Sequence, residues 1–366
     1  MDNFAMQLVT QWIKNYPMLI HCTWVSDRWH YEQGCLLKGI HDVYRYTGEN
    51  YLMEYIRTNM DRYVDNDGNI RTYREQDYNL DQINNGKMLL QLYRYTGKEK
   101  YALAANKLIV QMDNQPRTKS GGFWHKKIYP HQMWLDGHYM AMPFLAEYGT
   151  MFGERRYIDE AVQQLILMED KARDSQTGLL YHGWDESRGQ RWSNPVTGQS
   201  PQVWGRGMGW FAMALVDILP FLGKHEGREE VAAMLQRCSE AVLNVQDTQT
   251  GLWYQVMDQG TRQGNYLEAS ASSMFTYTLM KGNLLGILGP EMAEAAKRAY
   301  QGIITKFLYK DRKGMLSVKQ NCKVAGLGGQ PYRDGSYTYY VSEPIVEDDL
   351  KSLGACIMAL SAVEYL

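Results

Sequence analysis

"YRYTGENY" at residues 44–51 returns as "YRYTGKEKY" at 93–101, and "EYGTMFGERRY" at 147–157 is a looser third copy. Each reads as the end of one helix, a glycine-bearing turn and the start of another helix. A second unit recurs between these corners. "DSQTGLLYHGWDE" at 174–186 matches "DTQTGLWYQVMDQ" at 247–259, and "TKSGGFWHKK" at 118–127 aligns on the same glycine. "DNDGNIRTY" at 65–73 and "DRKGMLSVK" at 311–319 are weaker copies. The aligned glycines are Gly68, Gly121, Gly178, Gly251 and Gly314, spaced by 53, 57, 73 and 63 residues. Asp, Thr or Ser before glycine, then alternating aromatics, reads as a turn feeding a short strand or hairpin.

Helical patterns fill the space between. One set precedes each turn, over 3–16, 50–64, 99–113, 155–171, 228–246 and 291–308, with charges on one face and apolar residues three and four apart, as in "RYIDEAVQQLILMEDKA". These are expected to be outer helices. A second set, over 30–46, 81–96, 135–151, 206–222, 266–284 and 348–365, is poorer in charge and richer in Gly, Ala, Ser and Met. Small residues let helices approach closely, so these are expected to be inner helices. Six outer–inner pairs with a period of 50 to 70 residues imply an all-α (α/α)6 barrel with short β-hairpin connections at one rim. An open solenoid is the alternative, although solenoid repeats are usually shorter and more uniform. Twelve helices around one continuous core predict a single catalytic domain over residues 1–366.

Composition narrows the function. The 366 residues carry a formal charge of -2, with 45% hydrophobic and 22% charged residues, which gives no reason to expect nucleic acid or a membrane surface as partner. The 27 Tyr, 10 Trp and 21 Met suit a carbohydrate binder and a large helical core equally. An odd count of 5 Cys, without metal-ligand spacing, predicts a reduced, cytoplasmic setting. The N-terminus has no signal-peptide pattern and no run is long enough to span a membrane. Nucleotide-binding glycine loops, H-E-x-x-H, C-x-x-C and G-x-S-x-G elbows are missing from the sequence.

Aligning the inner-helix starts brings "NLDQINNG" (79–86), "WLDGHYM" (134–140) and "YLEASAS" (266–272) into register, so Asp81, Asp136 and Glu268 stand at equivalent places. Two readings stand for each. One is an N-cap that complements the helix dipole. The other is a working acid, since carboxylates converging on one rim are what glycosidic bond chemistry uses. Burial against Trp134 and repulsion from Asp81 are expected to raise the pKa of Asp136 so that it serves as an acid. His125 and His182 follow the turn glycines at equivalent places, where the next turn has Gln255; each is either a cleft lining or a structural residue. In "VWGRGMGW" (203–210), Trp204 and Trp210 read as a sugar platform and Arg206 as a carboxylate clamp or an internal salt-bridge partner.

"RWHYEQG", "GGFWHKKIYPHQMWLDGHYM", "GLLYHGWDE", "SPQVWGRGMGWFAMAL" and "GLWYQVMDQG" resemble the unsaturated rhamnogalacturonyl hydrolases of glycoside hydrolase family 105, relatives of the unsaturated glucuronyl hydrolases of family 88, from about residue 28 to the C-terminus. The resemblance implies the same (α/α)6 barrel. It also implies removal of a 4,5-unsaturated uronic acid from the non-reducing end of lyase-generated oligosaccharides, by hydration of the C4=C5 vinyl ether. Asp136 is then the proton donor and, as its conjugate base, the activator of water. Asp81 is the second acid, and Tyr31, Lys126, Trp134, His182, Trp204, Arg206 and Trp210 line the pocket. Arg206 and Lys126 suit the uronate carboxylate and the Trp residues the sugar faces. No metal or organic cofactor is implied, and the chain is expected to be a monomer or weak homo-oligomer.

Two departures bear on the leaving sugar. "EDDLKSLGAC" has Lys351-Ser352 where the family leads one to expect His-Gly, and the Tyr-rich "GGQPYRDGSYTYYVSEP" is placed to cover the cleft. Rhamnose of pectin fragments is the first expectation for the leaving sugar. An unsaturated glucuronyl hydrolase on another lyase product, an inverting glycosidase on saturated sugars and a non-catalytic sugar binder are the other readings.

Overall fold

The computed structural model describes residues 3–23, 25–312 and 314–365. Helices alternate around two concentric rings. The outer–inner pairs are α1 (Phe4–Asn15) with α2 (Tyr31–Thr47), α3 (Asn50–Asp61) with α4 (Gly86–Thr96), and α5 (Glu99–Asn114) with α6 (Leu135–Phe152). They continue as α7 (Arg155–Ala172) with α8 (Gly205–Leu222) and α9 (Arg228–Asn244) with α10 (Ala269–Leu284). The last pair is α11 (Pro290–Gly302), a short intervening helix α12 (Tyr337–Ser342) and α13 (Leu350–Glu364). Each inner helix packs on the next, and α13 packs back on α2 to close an (α/α)6 barrel. The expected boundaries hold to within a few residues, with two exceptions treated below.

The inner helices are apolar nearly all round, as buried helices must be. All of α8 from Gly205 to Leu219 is buried, and α6 is buried from Gly137 to Gly149. The outer helix α7 buries only a stripe, including Tyr157, Ala161, Leu165 and Met168. Each buried Leu or Phe contributes about 1.5–3 kcal/mol relative to exposure, and one cluster of such residues extends from Ala5 to Ala362. Ring closure depends on small residues. A Cβ on Gly354 of α13 would collide with the backbone of Cys35, and one on Gly39 of α2 with Gly354 O.

The two repeats place the turns. Gly48, Gly97 and Gly153 end α2, α4 and α6 with left-handed φ of 71°, 66° and 73°. Gly68, Gly121, Gly178, Gly251 and Gly314 all have positive φ. Three of their turns are closed by single bridges, Val64–Ile70, Arg117–Phe123 and Arg173–Leu180, so these hairpins are minimal. The last is a true hairpin, β3 (Leu308–Lys310) on β4 (Leu316–Val318). A longer-range pair, β1 (Gln132–Trp134) on β2 (Gly183–Asp185), sets Trp134 opposite Gly183. It holds the start of α6 against His182, whose carbonyl accepts from Leu135 N at 3.0 Å.

Two expected boundaries move for physical reasons. The helix expected from 81 begins instead at Gly86, after a 3₁₀ turn over Leu80–Ile83. Asn84 and Asn85 reach across the ring and donate to Tyr31 O and His30 O at 2.9 and 3.1 Å. α10 starts at Ala269 because the Glu268 side chain caps it.

The end of the barrel formed by the C-terminal halves of the inner helices holds a chamber of about 510 Å³, lined by the ion pairs Lys38–Asp42, Lys281–Asp217 and Arg94–Glu147. Burial pushes the Glu147 carboxyl up to about 7, with Arg94, Lys38 and Lys87 only partly opposing it. A folded-state pKa above the unfolded 4.5 means that Glu147 favours folding at low pH and that this is lost as pH rises through about 7. Glu147→Gln is therefore expected to be more stable than the parent in alkaline denaturant titrations, the gain vanishing below pH 4.5.

Candidate active site

At the opposite end, where the inner helices begin, a cleft of about 360 Å³ is lined by Tyr31, Asp81, His125, Lys126, Trp134, Asp136 and Met140 from α2, the 3₁₀ turn, the turn before α6, and α6 itself. The other wall is Glu32, Asp349 and Lys351, with Lys323 and Arg333 from the segment before α12.

The three aligned acids have three different fates. Glu268 is a cap: fully buried, it accepts from Ala271 N at 2.7 Å and from Cys322 N at 2.9 Å. Asp81 is held by Lys126, with Nζ 2.6 Å from Oδ2, and has His125 Nε2 at 3.5 Å. Burial pushes the Asp81 carboxyl up, but Lys126 and His125 together bring it below the usual carboxylate range. Asp136 sits in the first turn of α6 and caps no backbone amide among the described residues. Its Oδ2 lies 2.9 Å from His182 Nε2, while Oδ1 has no hydrogen-bond partner among the described residues.

The expected upward shift of Asp136 is corrected by this contact. Burial and Asp81 do push the carboxyl up, but the contact with His182 outweighs them and lowers it. Without substrate, Asp136 is an ionised carboxylate. His125 is driven the other way: burial lowers it to about 4, so it is a neutral ring stacked on Trp134 at 4.6 Å.

Arg206 is not a free clamp. It is 1% exposed and donates from Nε to Ser270 Oγ at 2.7 Å, from Nη1 to Lys323 O at 3.3 Å and from Nη2 to Cys322 O, with Glu268 Oε1 at 3.5 Å. The internal salt bridge is the geometry observed, because Glu268 at the start of α10 needs a buried counter-charge. Trp204 and Trp210 do not line the cleft either. Trp204 is covered by Tyr340 and His182, and Trp210 stacks on Tyr139 at 4.9 Å inside the ring. Trp134 does line the cleft, stacked on Tyr129 and His125. His182 is fully buried behind Asp136.

Several cleft residues were not singled out by the sequence. Lys351 donates to Glu32 Oε1 at 2.8 Å and to Asp349 Oδ2 at 3.0 Å, while Asp349 caps α13. Its appearance at a departure from the family pattern was the available signal. Arg333 donates to Tyr129 Oη at 2.8 Å and lies 5.9 Å from the Trp134 ring centroid. Lys126 and Lys351 are ion-paired, whereas Arg333 and Lys323 have no carboxylate partner among the described residues; Arg333 also donates from Nε to Gly328 O at 2.8 Å and from Nη2 to Leu327 O at 3.2 Å.

A barrel of six helix pairs, with Asp81 and Asp136 at the inner-helix starts and Arg333 on the facing wall, is the frame of a glycoside hydrolase of the six-hairpin type. The chain belongs to Glycosyl Hydrolase Family 88, whose model matches residues 5–366. It is similar over the full length of both chains, with 44% identity and a TM-score of 0.95, to a C. acetobutylicum ATCC 824 glycoside hydrolase from family 105. It is 41% identical over 226 residues, 60% of this chain and 96% of the other, to protein Atu3128 of Agrobacterium fabrum. It is 26% identical over 264 residues, 70% of this chain and 72% of the other, to the unsaturated rhamnogalacturonyl hydrolase YesR of Bacillus subtilis. Among the described residues no helix is long and apolar enough to cross a membrane.

Proposed function

We propose that this chain, acting as one catalytic domain, removes a 4,5-unsaturated uronic acid from the non-reducing end of lyase-generated oligosaccharides, of the rhamnogalacturonan type named for YesR. The observation that carries the reading is Asp136, a part-buried carboxylate with one oxygen held by His182 and the other without a hydrogen-bond partner among the described residues, facing the Asp81–Lys126 pair across one cleft.

An anionic sugar entering this cleft places its carboxylate near Asp136 and, by repulsion, favours the protonated acid. Asp136 then donates its proton to C4 of the vinyl ether. Positive charge develops at C5 and the ring oxygen, where Asp81 and the newly formed Asp136 carboxylate stabilise it. Asp136 takes a proton from water as the oxygen of that water bonds to C5. The resulting hemiketal opens, breaking the bond from C5 to the ring oxygen to give a ketone. The hemiacetal left at C1 expels the remaining sugar. Arg333, the cleft arginine without a carboxylate partner, is suited to the uronate carboxylate, the part expected of Arg206.

A panel of unsaturated disaccharides differing in the leaving sugar tests this by loss of the ultraviolet absorbance of the C4=C5 bond. Turnover of the rhamnose-terminated member is expected. Release of reducing sugar from saturated oligosaccharides, without any absorbance change on the unsaturated panel, would favour an inverting glycosidase instead.

A further inference from the structure

The repeat supplies an unexpected rule. The residue four places after three of the turn glycines, Gly121, Gly178 and Gly251, reaches back to the start of the preceding inner helix: His125 to Asp81, His182 to Asp136, and Gln255 to Trp204, at 3.5, 2.9 and 3.1 Å. The second and third of these contacts share one further partner. His182 Nδ1 lies 2.7 Å from Tyr340 Oη, and Gln255 Nε2 donates to Tyr340 O at 3.0 Å. Tyr340 lies on α12, in the Tyr-rich segment, and is fully buried with its ring over Trp204.

We propose that Tyr340 is a positioning residue for the proton transfer: its hydroxyl anchors the His182 ring, so that His182 Nε2 stays on Asp136 Oδ2 and leaves Asp136 Oδ1 for the substrate. This rests on the proposed hydration reaction. The chemistry of the three groups sets the direction of the chain. An ionised Asp136 can only accept, so His182 Nε2 carries the proton. With the ring proton on Nε2, Nδ1 accepts, and the Tyr340 hydroxyl is the donor that it faces. Tyr340 remains a phenol because burial, with Tyr339 and Asp136 nearby, raises its pKa well above the ordinary value. A tyrosine donor is therefore built in, whereas a carboxylate in its place would draw a second proton onto the ring.

The other charged or titratable groups around this chain are His125, Asp81, Lys126 and His138 on the Asp136 side, and Tyr339, Arg333 and Cys322 on the Tyr340 side. All of them stay in place in Tyr340→Phe, which keeps the ring over Trp204 and removes only the hydroxyl.

The test uses the full chain. Nitrogen-15 spectra of the histidine rings, with the His182 signals assigned by their loss in His182→Gln, are expected to show His182 protonated at Nε2 in the parent. In Tyr340→Phe, with the ring unanchored, the Nε2 proton signal should broaden and exchange faster with solvent. With an unsaturated disaccharide, kcat of Tyr340→Phe is expected to fall about tenfold with KM little changed, as for a loss confined to the proton-transfer step. Because Asp136 loses a hydrogen-bond donor, its pKa rises, and the alkaline limb of the rate profile moves to higher pH. An unchanged Nε2 proton signal, or a lower rate with an unmoved pH profile, would reduce Tyr340 to packing and overturn the proposal. If the parent turns over no unsaturated substrate, the proposed reaction fails, while the ring spectra still decide whether the anchor exists.

Discussion

Asp136→Asn is expected to remove turnover, with kcat falling about 10²- to 10⁴-fold, the usual range for loss of a general acid. Its melting temperature should stay at or above that of the parent. The two results together are what distinguish this residue from its repeat equivalents. A helix cap would cost about 1 kcal/mol when lost, but Asp136 accepts from no backbone amide among the described residues and its one bonded oxygen is on His182. Replacing this part-buried carboxylate by an isosteric amide also removes charge repulsion with Asp81. A variant that loses stability in proportion to activity would return Asp136 to a structural role.

Arg206→Met is expected to have the largest effect on stability. The change leaves the Glu268 carboxylate, fully buried, without its guanidinium. Removing one partner of a buried pair costs about 3–5 kcal/mol, against a total stability of about 5–15 kcal/mol for a folded domain. Denaturant unfolding should show this drop, and α10 should lose protection from hydrogen exchange first, since Glu268 caps it. If Arg206 held the substrate carboxylate directly, the same variant would raise KM and leave the unfolding midpoint where it was. Arg206→Lys is not a conservative control, because an ammonium cannot supply the forked set of donors that Ser270, Cys322, Lys323 and Glu268 use.

The sequence located most of the site because the repeat is a geometric statement. Residues at equivalent repeat positions must stand at equivalent places around the ring, so Asp81, Asp136 and Glu268 had to share one rim. The same logic placed His125, His182 and Gln255 beside them. It could not say which acid is spent on a helix cap, because that depends on a backbone amide presented by local geometry. Nor could it see that Arg206, facing a buried Glu268, has its donors consumed. The segment around Arg333 and Tyr340 lies outside the repeat, so its contacts across the cleft rim had no periodic pattern to reveal them.

The sequence by itself determined the ring: six amphipathic outer helices, six small-residue inner helices, and turn glycines whose positive φ no other residue adopts as cheaply. Those are local properties, and local chemistry is legible in order along the chain. Tertiary structure alone decided the ionisation of the site. The state of Asp136 depends on His182, Asp81 and burial at once, and which cleft cations lack a carboxylate partner among the described residues, Arg333 and Lys323, is seen only in the folded cleft. Charge balance in a buried cleft is a sum over neighbours far apart in the chain, and that sum exists only once the barrel has closed.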